Sequence, residues 1–81
     1  MLTLYGRPEC HLCDEMLAEL TPLLQGAVPV RLVDISGDDD LEARYGLRIP
    51  VLCDGETELC CYRLDVDRVA QWLKQATGRP E

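Results

Sequence analysis

No stretch of about 18 consecutive apolar residues occurs in this chain, so no helix is expected to span a bilayer. No basic patch occurs either. Eight Lys and Arg stand against fifteen Asp and Glu, a formal net charge of −7. That balance argues against nucleic-acid binding, and it describes a soluble acidic surface that repels acidic partners. Internal repeats, low-complexity tracts and linkers are absent, so the 81 residues read as one domain, residues 1–81. The first residues show no basic segment leading into an apolar core, so a secretory leader is not expected and the cytoplasm is the expected location. Histidine occurs once, as His11. No spaced acidic pattern follows Asp38-Asp39-Asp40, so that triplet reads as a helix start with favourable dipole interactions rather than a cation site.

What the chain does have is five cysteines, an odd number. A small secreted scaffold would carry an even framework of bridges. In a reducing compartment most of these thiols should be free. Cys10 and Cys13 stand apart from the others because they are three residues apart at the start of an amphipathic run. On a helix that spacing puts both sulfurs on one side, one turn apart, where backbone N–H groups are unpaired. The helix terminus and the nearby Arg7 favour a thiolate at Cys10. Glu9, Asp14 and Glu15 oppose it by like charge.

The pattern along the chain predicts seven elements. Leu2-Thr3-Leu4-Tyr5 alternates as a strand does, and Gly6-Arg7-Pro8-Glu9 turns the chain. From about His11, Cys13, Met16, Leu17, Leu20 and Leu24 make one apolar stripe. Pro22 should kink this helix or end it near Thr21, with Gly26 as the latest exit. Val30–Ile35 is largely apolar and β-branched, as a strand covered on both faces would be. Strand, helix and strand form a right-handed βαβ unit with parallel strands. A short helix from Asp39 to Tyr45 closes at Gly46. Leu47–Cys53 carries Pro50 at a strand start, Asp54-Gly55 signals a hairpin, and Glu58–Tyr62 returns antiparallel. Asp65 caps a last helix whose stripe is Val66, Val69, Ala70, Leu73 and Ala76, with Gly78 at its end and Pro80 beyond. Trp72 borders that stripe and reads as packing.

The hairpin holds Cys53, Cys60 and Cys61. With a loop centred on Gly55-Glu56, Leu52 would oppose Leu59, and Cys53 would share a face with Cys60. Cys60 and Cys61 point to opposite faces, so a bridge between them would be strained. These three read as small buried apolar residues, with a second redox pair or a metal site as the other reading.

A Cys-x-x-Cys at the end of the first strand of a βαβ unit is a thioredoxin-like redox motif. Together with Arg7 before the first cysteine and Ile49-Pro50 opening the third strand, it makes the chain resemble a glutaredoxin-like member of the thioredoxin-fold family. The resemblance covers the whole element order. It implies an α/β fold, β-α-β-α-β-β-α, with a four-stranded mixed sheet in the order 2-1-3-4 flanked by three helices. It also implies a cis bond between Ile49 and Pro50, beside the dithiol, where that proline helps hold substrate backbone. Two departures stand out. Glutaredoxins commonly carry Pro-Tyr between the cysteines, where this chain has His11-Leu12. They usually grip glutathione with a Gly-Gly pair and a following acid, but Cys60–Asp65 contains no glycine and only Asp65 could stand in for the acid.

The expected function is thiol–disulfide exchange without a bound cofactor, in cell redox homeostasis. Cys10 is the expected nucleophile and Cys13 the resolving thiol. Arg7, His11, Arg48, Ile49 and Pro50 are the candidate substrate-binding residues. His11 either pairs with the thiolate or is an exposed tuning residue. By the resemblance Arg48 would face the substrate and bind a carboxylate. The expected partner is a disulfide-containing protein or a small thiol, with glutathione as a candidate reductant and the chain a monomer. The competing reading is a non-enzymatic thioredoxin-fold binding module, holding a metal or an iron–sulfur cluster through Cys10.

Overall fold

The computed structural model describes residues 2–77, with Thr77 described by its backbone alone. The elements run β1 (Leu2–Gly6), α1 (His11–Leu24), β2 (Val30–Asp34), α2 (Asp39–Tyr45), β3 (Val51–Asp54), β4 (Thr57–Cys61) and α3 (Val66–Thr77). The four strands form one sheet in the order β2-β1-β3-β4. β1 pairs parallel with β2 and antiparallel with β3, and β3 pairs antiparallel with β4. This is the thioredoxin-like α/β arrangement. No helix among the described residues is long and apolar enough to cross a membrane.

Alternation along the strands divides the core. Leu2, Leu4 and Leu52 point to one face, where Met16, Leu20 and Leu24 of α1 and Val69 of α3 close over them. On the other face Tyr45 of α2 stacks on Tyr5 of β1, with ring centroids 4.4 Å apart. Val51 and Cys53 are buried on that side of β3. Removing this apolar surface from water is the main favourable term for so small a chain.

Four expectations are revised. α1 does not stop at Thr21 but continues through Pro22 to Leu24, capped by Gln25 in the left-handed region at φ 51°. Pro22 removes one donor near the helix end, while Leu24 gains a buried place in the core. β2 is not covered on both faces: it is the sheet edge, and Leu32 is 59% exposed. The buried part of α3 centres on Val69 with Trp72 and Leu73 against the core, while Val66 and Ala76 are exposed. The expected helix end at Gly78 and the following Pro80 lie outside the described residues.

The fourth revision concerns the hairpin. Gly55, at φ 59°, opens a two-residue loop, and Asp54 faces Thr57. The register then shifts, so that Leu52 opposes Cys60 rather than Leu59. The extra residue on β4 is a bulge, and it lets Leu59 turn into the core. In consequence Cys61 shares a face with Val51 and Cys53, while Cys60 lies with Leu52 on the opposite face.

Candidate functional site

The dithiol sits where β1 hands over to α1. Glu9 adopts φ 60°, a left-handed conformation that disfavours a side chain by roughly 1–2 kcal/mol. The turn brings Cys10 in as the N-cap of α1, in extended conformation. Its sulfur accepts the backbone N–H of Cys13 at 3.2 Å, and its carbonyl accepts the N–H of Asp14 at 3.1 Å. Cys10 and Cys13 are joined as a disulfide, with Cα atoms 5.2 Å apart. Cys10 is half-buried; Cys13, one turn in, is only 9% exposed. The two sulfurs therefore differ in access, and the outer one accepts a hydrogen bond from the unpaired end of a 14-residue helix.

Gly6 is a site residue that the sequence pattern did not single out. A Cβ there would lie 2.7 Å from the Cys13 sulfur, so only glycine permits the strand end to approach the dithiol this closely. A glycine closing an apolar strand just before two cysteines was the available signal. The β1–β3 register pairs Tyr5 with Val51, which places Pro50 alongside this same strand end. Pro50 is fully buried, the Ile49–Pro50 bond is cis, and the Pro50 carbonyl accepts the N–H of Tyr62 at 2.9 Å. Tyr62 follows β4 at φ 69°, so the glycine-free run after β4 reaches the left-handed region with a tyrosine. The Tyr62 hydroxyl donates to the Leu47 carbonyl at 2.6 Å, which ties this turn to the segment before Pro50. Asp65 caps α3, accepting the N–H of Arg68 at 3.0 Å.

The candidate cations each have an acidic partner. Arg7 forms an ion pair with Glu42 of α2. Arg48 donates to Glu58 at 2.5 Å and to the Arg44 carbonyl at 3.0 Å, and its guanidinium lies 5.8 Å from the Tyr45 ring centre. Glu58 pushes the Arg48 pKa further up. His11 is exposed and pairs with Glu15 at 2.5 Å, one turn along the helix. Of the expected substrate-binding residues, Ile49 and Pro50 immediately precede β3, the strand that pairs with β1. Arg48 and His11 have partners of their own. Glu42 and Glu58, which hold the arginines, were invisible to local pattern because they lie 35 and 10 residues away.

Two clefts are lined in part by α1, and the first of them reaches the dithiol. One, of about 240 Å³, opens between α1 and β2; Gly6, Pro8 and Cys13 form its dithiol end, and Leu4, Leu17 and Leu32 its apolar wall. The other, of about 150 Å³, lies across α1 and is lined by Leu12, Met16, Tyr62 and Leu64. Cys53, Cys60 and Cys61 are free thiols. Burial pushes the Cys53 thiol up, against a hydrogen bond from Tyr45. Burial likewise pushes Cys60 up, against the backbone N–H of Asp65. Among the described residues no three His, Cys, Asp or Glu side chains gather so as to hold a metal ion.

The family profile described as Glutaredoxin-like domain (DUF836) matches residues 1–74. The chain belongs to that family. The glutaredoxin-like chain is also similar to the X-ray structure of the structural-genomics target protein XcR50 from X. campestris. The two are 38% identical over 99% of this chain and 100% of that one, with a TM-score of 0.72. Protein Ne2328 from Nitrosomonas europaea, solved by NMR, is 38% identical over 88% of this chain and 87% of its own, with a TM-score of 0.78. Thioredoxin 1 from Thermosipho africanus TCF52B is 13% identical over 94% of this chain and 97% of its own, with a TM-score of 0.58, a likeness of fold alone. No curated protein matches the sequence. A glutaredoxin-like thioredoxin fold with a Cys-x-x-Cys pair at disulfide distance is a redox-type framework.

Proposed function

We propose that the glutaredoxin-like domain is a thiol–disulfide oxidoreductase in which Cys10 attacks and Cys13 resolves. One observation carries this reading: Cys10 caps α1 with its sulfur on the Cys13 N–H, while Cys13 sits deeper and within bonding reach. The helix terminus stabilises negative charge on sulfur, and the thiolate is the attacking species. In the reduced protein the Cys10 thiolate attacks one sulfur of a substrate disulfide. A Cys10–substrate disulfide forms, and the other substrate half leaves as a thiolate that takes a proton. Cys13 then loses its proton and attacks the Cys10 sulfur. The second substrate half leaves as a thiol, and the Cys10–Cys13 disulfide remains. Two electrons and two protons pass to the substrate, and no bound cofactor takes part.

Ile49 and Pro50 border the place where substrate backbone would lie, and the substrate is a protein disulfide or a small one. The domain acts as a monomer in the cytoplasm, and glutathione or a reductase of the thioredoxin-reductase type returns the electrons. The reduced protein is to be alkylated across a pH series, then supplied with a small disulfide and each donor in turn. Cys10 should react faster than Cys13 and titrate below the free thiol value of about 8.5. Equal reactivity of the two thiols, with no such titration, removes the nucleophile assignment. Stoichiometric zinc or a brown cluster without turnover replaces it with the metal-carrying binding module.

A further inference from the structure

The 240 Å³ cleft beside Cys13 has no part in the exchange chemistry just proposed. It exists because β2 is an edge strand that α1 only partly covers. Leu32 pairs with Leu4 in the β1–β2 register, so both face the α1 side; Leu4 is buried, and Leu32 is open to solvent. With Leu17 of α1 they make an apolar wall that runs up to Gly6 and Cys13. Single exposed leucines are unremarkable, but a concave apolar wall continuous with a reactive centre is a recognition surface.

The charges around the cleft are predominantly acidic. Asp14 and Asp34 line it, and Glu9 is exposed just before Cys10. Asp34 accepts the Ser36 N–H at 2.8 Å, which holds its carboxyl below the usual range and keeps it ionised. Arg7, the one cation lining the cleft, is paired with Glu42 and its charge also reaches Asp34. One cation thus stands against several carboxylates, and a ligand entering here meets an apolar wall under a net acidic rim.

We propose that this cleft is a specificity subsite for a protein substrate, taking an apolar side chain from a segment with Lys or Arg beside its disulfide. The proposal rests on the redox reading. Leu32 and Leu17 hold the apolar group, and Asp14 and Asp34 attract the basic neighbour and repel acidic ones. Leu32 and Asp34 are thus specificity residues, acting through substrate position rather than on the sulfurs. Complementary charge of this kind raises encounter rates and suppresses wrong partners more than it tightens binding.

The test is single-turnover reduction of short peptide disulfides by the pre-reduced protein, followed beside 2-hydroxyethyl disulfide. Four peptides combine Leu or Ser at one position with Lys or Glu flanks. The Lys-flanked peptides should be reduced about fivefold faster than the Glu-flanked ones at low salt, and the ratio should shrink as salt rises. The Leu peptides should exceed the Ser peptides by roughly fivefold, with little dependence on salt. Within Asp34→Asn the Lys-to-Glu ratio should fall, and within Leu32→Ser the Leu-to-Ser ratio should approach one. Each readout is a ratio inside one variant, so a change in overall stability does not mimic it. Reduction of 2-hydroxyethyl disulfide with equal rates for all four peptides overturns the subsite and leaves the redox reading standing. Failure to reduce any disulfide overturns both.

Discussion

Cys10 caps α1, whereas Cys60 lies in β4 with its sulfur beside Asp65, the cap of α3. Each sulfur has a backbone N–H beside it, from Cys13 in the first case and Asp65 in the second. Their surroundings differ. Around Cys60, burial and the carboxylates of Asp65 and Glu58 outweigh the N–H, and the thiol is pushed up. Cys10 is the cap itself, half-open to solvent, and a second sulfur lies within bonding distance one turn away. A backbone N–H near a helix start therefore does not by itself offset burial and like charge around a thiol. On the proposed function it serves Cys10, whose sulfur holds the capping position within reach of solvent.

The sharpest way to break this comparison is to remove the capping sulfur. Cys10→Ser should abolish disulfide reduction, while Cys13→Ser should still attack and accumulate a mixed disulfide, read as an added substrate mass on the intact protein. A Cys60→Ser variant that lost activity to the same extent would erase the distinction between the two cysteines.

Next in size is Gly6→Ala. The new methyl meets the Cys13 sulfur at 2.7 Å, so strand or helix must move. Unfolding in urea should show a loss of about 1–3 kcal/mol, with a change in the Cys10 alkylation profile.

The hairpin thiols make a prediction of opposite sign to that of an activated cysteine. Cys53 and Cys60 have folded-state pKa values above their unfolded ones. The stability they contribute is fully present below the unfolded thiol value, about 8.5. It is lost as pH rises through the raised folded values, because the unfolded chain then releases the proton more readily. Urea midpoints should fall above that pH, and replacing both residues by Ala should flatten the fall. Both thiols should also resist alkylation at neutral pH under conditions where Cys10 reacts.

The smallest effect belongs to His11. It is 86% exposed at its side chain and paired with Glu15 along the helix surface. His11→Ala should change stability by no more than about 0.5 kcal/mol in a denaturation curve. A large change in the pH profile of Cys10 alkylation would instead make His11 part of the thiol chemistry.

What could be read from the chain alone was local. The period of apolar residues placed β1, α1 and the closing helix, because side-chain direction repeats with the backbone, and cap residues with Gly46 placed α2. The spacing of Cys10 and Cys13 put two sulfurs one turn apart at a helix start, which needs nothing beyond helix geometry. Asp65 as a cap and Gly55 in the hairpin loop were legible for the same reason. Tertiary structure decided whatever depends on partners distant in the chain. It paired Arg7 with Glu42 and Arg48 with Glu58. A bulge moved Cys60 and Cys61 to faces opposite those an unbulged register gives. The edge position of β2, which the family resemblance already implied, left Leu32 uncovered in the structure and opened the cleft beside Cys13. Register and ion pairing are choices among alternatives of similar local energy, and only the packing of the whole core selects between them.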